Sequence, residues 1–268
     1  MSADLDQIVA DVARSRRYRH VCRDAVARLA RSALAASGGD VRAATKRTKS
    51  SLHQIFGAFV PAPLDPARTA RELRDAAGDP DAIKAALLRA MQRHASTRER
   101  VPILESLWRE VTARTGPAGR VLDLGCGLNP LAAPWMTGLA TELYCGVELD
   151  TALVALVQEA LSVIGVPHDI QTRDVLSPGS LPSADLVIAM KLLPTLDQQL
   201  RGSGLALLAK IDAPTLVVSF PRRSLSGRSK GMTEHYAGPF EAEVSVRGWS
   251  AERVELSGEL VYVVRRAA

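Results

Sequence analysis

Over the first 114 positions apolar residues return at intervals of three and four, which predicts a succession of amphipathic helices from residue 3 to about 114. Val26, Leu29, Ala30 and Leu34 mark one apolar stripe, and Ile83, Leu87, Leu88 and Met91 another. Gly38-Gly39-Asp40 separates two of these helices, the glycines turning the chain and the aspartate capping the next helix. Pro61-Ala62-Pro63 ends another, because proline cannot continue the hydrogen-bond ladder. After Gly116-Pro117-Ala118-Gly119 the pattern changes to short apolar runs at 121–124, 143–147, 186–189, 216–220 and 260–264, with helical segments between the first four. Strands alternating with helices predict an α/β fold with a mostly parallel sheet covered on both faces. The expected organisation is an all-helical domain over 1–115 followed by the sheet domain over 116–268.

Composition narrows the class. Apolar residues at 47% and charged residues at 24% exclude a disordered chain or a disulfide-stapled miniature. Apolar stretches stop well short of the roughly 18 to 20 residues a membrane span needs. Asp4 and Asp6 stand where a secretory signal would carry positive charge, so a soluble cytoplasmic protein is expected. Cys22, Cys126 and Cys145 have no C-x-x-C spacing and no close histidines, which predicts reduced thiols and no metal site.

The net charge of +5 is unevenly spread. Up to residue 115 there are 21 Lys and Arg against 13 Asp and Glu, and beyond it 13 against 16. Arg14, Arg16, Arg17, Arg19, Arg23, Arg28 and Arg31 are interrupted by a single acid, Asp24, and Arg42, Lys46, Arg47 and Lys49 follow. Phosphate contact is one reading, since each neutralised phosphate releases counterions. The other is a solvated helix face in an arginine-rich proteome, as 28 arginines to 6 lysines would imply.

Candidate chemistry gathers at the first apolar run, VLDLGCGLNP, with Asp123, Gly125, Gly127, Asn129 and Pro130. Glycines at a strand end let the backbone pass close to a ligand, and ligands of open α/β sheets bind at the carboxyl ends of strands. Glu148 follows Gly127 by 21 residues at the end of the second strand, where a carboxylate accepts hydrogen bonds from ribose hydroxyls. Asp174 closes a third segment, IQTRD, and is placed to orient an adenine. The third glycine of a dinucleotide loop is missing, and no G-x-x-x-x-G-K-[ST] is present. The D-x-G-x-G-x-N arrangement instead resembles motif I of class I S-adenosylmethionine-dependent methyltransferases of Rossmann-like fold, so S-adenosyl-L-methionine is the expected cofactor.

A narrower resemblance rests on HASTRER (94–100), CGLNPLAAPWM (126–136), KLLPTLD (191–197), SFPRRSLSGRSKGM (219–232), GELVYVV and, in the helical part, KRTKSSLHQIFGAF (46–59). Over nearly the whole chain these resemble the aminoglycoside-resistance 16S rRNA methyltransferases of antibiotic-producing actinomycetes and their acquired counterparts. Those enzymes methylate N7 of a guanine in the decoding site of the 30S subunit. The resemblance implies Arg100 on the cofactor's carboxylate, Gly125 beside its methionine portion, Glu148 on its ribose and Asp174 near its adenine. It places Lys191 between cofactor and target base, where a cation can hydrogen-bond guanine O6. Relatives commonly carry aspartate where this chain has Glu148, and alanine where it has Gly125; both departures keep the required chemical group.

Asp123 and His94 join the cofactor set, although HASTRER also fits a capped helix start with Ser96 or Thr97 on free amides and Glu99 supporting the turn. The expected RNA contacts are Arg14, Arg16, Arg17, Arg19, Lys46, Arg47 and Lys49, with Arg222, Arg223, Arg228 and Lys230 in an acid-free mobile segment that orders on RNA. Met232 packs against the target nucleotide or fills a helix contact. The expected partner is an assembled 30S subunit and the enzyme a monomer. Rival readings are a methyltransferase of a neighbouring decoding-site adenine, a ribosome-binding factor without turnover, and a small-molecule methyltransferase.

Overall fold

The computed structural model describes residues 2–57, 65–222 and 232–266. The helix-ending Pro61-Ala62-Pro63 and the basic residues Arg223, Arg228 and Lys230 lie outside the described residues.

The helical part comprises α1 (Ser2–Ala13), α2 (Arg23–Ala36), α3 (Val41–Leu52), α4 (Pro66–Asp75), α5 (Pro80–Met91), α6 (Ala95–Arg100) and α7 (Leu104–Thr115). Asp40 caps α3 as expected, accepting from Ala43 N at 2.9 Å. The capped helix start that HASTRER also fits is not made. His94 occupies the N-cap of α6 without a side-chain cap, because the hydroxyls are used elsewhere. Thr97 Oγ1 donates to Met91 O at 2.6 Å, and Ser96 Oγ accepts from Arg100 Nη2 at 2.7 Å.

The sheet comprises β1 (Ala118–Leu124), β2 (Leu139–Glu148), β3 (His168–Thr172), β4 (Leu186–Met190), β5 (Thr215–Pro221), β6 (Ser250–Leu256) and β7 (Glu259–Arg265), in the order β3-β2-β1-β4-β5-β7-β6. Strands β1 to β5 run parallel, β7 is antiparallel to β5, and β6 is antiparallel to β7. Helices α8 (Thr151–Val163), α9 (Leu192–Gln199), α10 (Ser203–Lys210) and α11 (Met232–Val246) complete the fold. The segment from β1 to β2 is a 3-10 turn at Asn129–Trp135 rather than an α-helix. Pro134, inside this segment, removes an amide donor an α-helix would need there.

Successive residues of the central strands feed opposite cores, as the two-residue period of a strand requires. Val121, Ile188, Val217 and Val263 face one core with Leu87, Met91, Trp108 and Leu161, so α4, α5, α7 and α8 cover that side. Leu122, Val187, Val218 and Tyr262 face the other with Leu196, Leu208 and Phe240 from α9, α10 and α11. Each fully buried side chain of this kind contributes about 1.5 to 3 kcal/mol.

Helices α1 to α3 hold a third cluster of their own around Ile8, Val12, Ala30, Leu34 and Leu52, against which Leu149 packs. Cys22 N donates to Leu149 O at 2.7 Å and Thr151 N to His20 O at 2.9 Å, closing a short antiparallel bridge between Val21 and Asp150. This joint lies directly after Glu148.

Candidate active site

Strand order reverses direction between β1 and β4, and a cavity opens at their carboxyl ends, where ligands of such sheets bind. The structure brings His94, Arg100, Gly125, Gly127, Glu148, Asp174 and Lys191 together in its walls.

Gly125 and Gly127 turn the chain after β1 with φ of +57° and +50°, a conformation side chains rarely adopt. A Cβ on Gly125 would also stand 2.8 Å from Leu192 Cδ1, so here the nearest obstacle is protein. Glu148 locks the loop: its Oε2 accepts from Gly127 N at 2.9 Å and its Oε1 from Leu149 N at 2.7 Å. Burial raises the Glu148 pKa, against the lowering effect of these amides. Asp174 is buried; its Oδ1 accepts from Leu176 N at 3.0 Å and its Oδ2 from Arg28 Nε at 2.6 Å.

Asp123 is not a wall of the cavity. It sits beneath the loop, accepting at 2.7 Å from both Asn129 Nδ2 and Tyr144 OH. Burial pushes its carboxyl up to about 6, with the two hydrogen bonds opposing. Asn129 in turn accepts from Arg100 Nη1 at 2.5 Å, so Asp123 reaches the site through Asn129 and Arg100.

Arg100 is 3% exposed and held also by Ser96, through Nη2 to the hydroxyl and Nε to the carbonyl. Each terminal guanidinium nitrogen carries a second N–H for an incoming anion. Lys191, at the end of β4, is a non-glycine residue with φ of +55°, the kind of backbone strain that clusters at functional sites. Its amide is fixed by Ser219, and its Nζ stands 2.6 Å from Glu99 and 3.4 Å from Glu259. Burial beside Arg100 and Lys191 lowers the His94 pKa to about 4, so the imidazole is neutral at pH 7.

Glu259, which the sequence reading passed over inside GELVYVV, is 1% exposed at the start of β7. Its Oε1 accepts from Ser219 Oγ at 2.6 Å, and its Oε2 lies 3.6 Å from Arg100 Nε and 3.4 Å from Lys191 Nζ. One buried carboxylate thus compensates two buried cations, which would otherwise be costly to desolvate. The available signal was an acid heading the apolar run Leu260 to Val264.

The described residues among the expected RNA contacts fall outside this cavity. Arg14, Arg16, Arg17 and Arg19 are exposed between α1 and α2, Arg14 paired with Asp11 and Arg17 lying 5.9 Å over the Tyr18 ring. Lys46 and Lys49 share a groove with Arg42 and with Gln7 and Asp11 of α1, while Arg47 is exposed elsewhere on α3. Arg222 is tied to the β6–β7 hairpin, 3.3 Å from Glu255 and from Leu256 O. Met232 opens α11; its side chain lies outside the described residues.

A mostly parallel seven-stranded sheet of this order, with acids closing its second and third strands around a glycine loop, defines a Rossmann-like methyltransferase fold. The family model "Ribosomal RNA methyltransferase (FmrO)" matches residues 14–263, and the chain belongs to that family. It is 42% identical to a 16S rRNA (guanine(1405)-N(7))-methyltransferase of Micromonospora echinospora, over 98% of this chain and 97% of that one. A protein of the same name from Serratia marcescens is 31% identical over 98% and 99%. Among solved structures, the 16S rRNA methyltransferase RmtF in complex with S-adenosyl-L-homocysteine superposes with a TM-score of 0.85 at 36% identity, covering both chains fully. The 16S rRNA methylase RmtB superposes with a TM-score of 0.82 at 25% identity over 98% of each chain.

Proposed function

We infer that this chain is a 16S rRNA (guanine(1405)-N(7))-methyltransferase using S-adenosyl-L-methionine, and that its product confers aminoglycoside resistance. The observation carrying this reading is the polarity of the cavity, with Arg100 and Lys191 on one side and Glu148 and Asp174 on the other, in a chain of the ribosomal RNA methyltransferase family. A zwitterionic nucleoside fits these donors and acceptors. Arg100 would hold its carboxylate, Glu148 its ribose hydroxyls and Asp174 its adenine amine, with Gly125 beside its methionine portion and Gly127 and His94 flanking the loop.

When bound, S-adenosyl-L-methionine supplies a methyl group on positively charged sulfur, which passes to N7 and leaves S-adenosyl-L-homocysteine. Guanine N7 carries an available lone pair, so no side chain has to remove a proton first. The task left to the protein is positioning, which is worth about 7 to 11 kcal/mol in well-oriented systems. Lys191, held by Glu99 and Glu259, would donate to guanine O6 and fix the base edge. Neutral His94 adds no charge against the cationic cofactor at pH 7.

The substrate in this reading is the assembled 30S subunit, met by a monomeric cytoplasmic enzyme. In this reading α1 to α3, which hold a cluster of their own, are the part of the basic region 1–115 that lands on rRNA, while α4, α5 and α7 pack on the sheet that carries the cofactor loop. The exposed Arg14, Arg16, Arg17, Arg19, Lys46 and Arg47, with Lys49 and Arg222, supply phosphate contacts. Arg223, Arg228, Lys230 and Met232, which lie outside the described residues or have their side chains there, are further rRNA contacts in this reading. Among the described residues no helix is long and apolar enough to cross a membrane. The added methyl and positive charge would obstruct aminoglycosides sterically and electrostatically. Cells expressing the protein should therefore tolerate kanamycin- and gentamicin-type drugs. Unchanged tolerance with unmodified 16S rRNA would refute the reading.

A further inference from the structure

The basic run that the sequence offers as a phosphate-binding face contains one arginine that points elsewhere. Arg28, on α2, turns inward: its Nε donates to Asp174 Oδ2 at 2.6 Å and its Nη2 to Gln199 Oε1 at 2.7 Å. Its side chain is 24% exposed and that of Asp174 2%. One guanidinium therefore ties the amino-terminal helix cluster to the acid after β3 and to the last residue of α9. Asp174 and Gln199 both line the cofactor cavity. The same helix cluster contributes Ile55 to that wall, and its backbone pins Leu149, the residue after Glu148, through Cys22. The half of the cavity formed by Glu148, Asp174 and Gln199 is thus completed by the part of the chain that carries the exposed arginines.

Resting on the function proposed above, we propose that Arg28 is a positioning residue that couples docking of the helix cluster on rRNA to occupancy of the cofactor cavity. Arg28 holds one oxygen of Asp174 while Leu176 N holds the other, which fixes the carboxylate that would meet the adenine amine in the function proposed above. An rRNA surface that immobilises α1 to α3 immobilises Arg28 with them, so part of the ordering cost of cofactor binding is met before the cofactor arrives. By linkage, cofactor binding then strengthens docking by the same factor. The coupling makes an enzyme that closes on its cofactor where its substrate is.

Equilibrium dialysis of tritiated S-adenosyl-L-homocysteine against the full chain, with and without 30S subunits, tests this. The wild type should bind at least about fivefold tighter in the presence of 30S, within the usual range of such couplings. Arg28→Met should weaken binding without 30S about tenfold, the size expected for a lost charge-assisted hydrogen bond. It should also bring the 30S-dependent factor close to one. Arg28→Lys should restore part of the affinity, because an ammonium reaches one partner but lacks the fork that spans Asp174 and Gln199. In turnover, the KM for S-adenosyl-L-methionine should rise more than kcat falls. If Arg28→Met does not fold, Gln199→Met cuts one arm alone and should still lower the 30S-dependent factor at least about twofold. Equal factors in wild type and folded variants, or a wild-type factor of one with normal binding of both ligands, overturn the coupling and leave the enzyme assignment standing. A wild type that binds neither ligand removes the assignment, and the coupling with it.

Discussion

Lys191 combines a strained left-handed backbone, a fixed amide and an ammonium held by one exposed and one buried carboxylate. Strain of this kind costs about 1 to 3 kcal/mol and persists where surrounding structure enforces it. Removing the amine by Lys191→Ala should lower kcat roughly ten- to a hundredfold at saturating cofactor and 30S, since misplacing a reactant is costly. Intact turnover would remove Lys191 from the mechanism. Asp123 gives a separate, pH-dependent signature. Its folded pKa is raised from 3.8 to about 6, so the folded state binds more protons than the unfolded one between those values. Its contribution to stability is therefore full below about 4 and is lost as pH rises through about 6. His94, lowered from 6.5 to about 4, works in the opposite sense: its contribution is present above 6.5 and lost as pH falls through about 4. The wild-type profile hides both. Asp123→Asn should gain on the wild type in denaturant unfolding as pH is raised from 4 to 6, by up to about 3 kcal/mol. A constant difference across that window would show that Asp123 is not held in this way.

At the scale of elements, the joint after β2 is a testable structural unit. Asp150 caps α8, accepting from Ala152 N at 2.7 Å and Leu153 N at 3.1 Å, beside the bridge to Val21. Asp150→Ala should cost about 0.5 to 2 kcal/mol in denaturant unfolding, the range of a lost N-cap. A loss below a few tenths would mean the helix start is held by the bridge alone. The elements legible in the sequence were those with a clean period: the stripes of α2 and α5, and the apolar runs of β1, β2, β4, β5 and β7. Strand β6 escaped because it is a sheet edge, with Val254 its one buried residue and hence no alternation to read. The β1–β2 turn escaped because its apolar run reads like a helix while Pro134 interrupts one.

Across the whole molecule, the glycine loop and the acids ending β2 and β3 were legible because one-dimensional spacing fixes them to adjacent strand ends. Arg28, Glu99 and Glu259 were not, because their meaning lies in partners 146, 92 and 68 residues away, at Asp174, Lys191 and Lys191 respectively. Composition made Arg28 one cation among many, and the fold gave it a different task from Lys46 or Arg47. Lys46→Glu should weaken 30S binding and reduce the salt slope of log affinity by roughly one or more. Its affinity for S-adenosyl-L-homocysteine alone should match the wild type; a parallel loss of both would place Lys46 in the fold rather than on the rRNA. The most direct measurement is transfer of labelled methyl from S-adenosyl-L-methionine onto purified 30S subunits, with naked 16S rRNA alongside and the modified nucleotide located by borohydride and aniline cleavage. The account predicts a single 7-methylguanosine at the decoding-site guanine of the assembled subunit and little label on naked rRNA. Unlabelled subunits, or label on a neighbouring adenine, would contradict it.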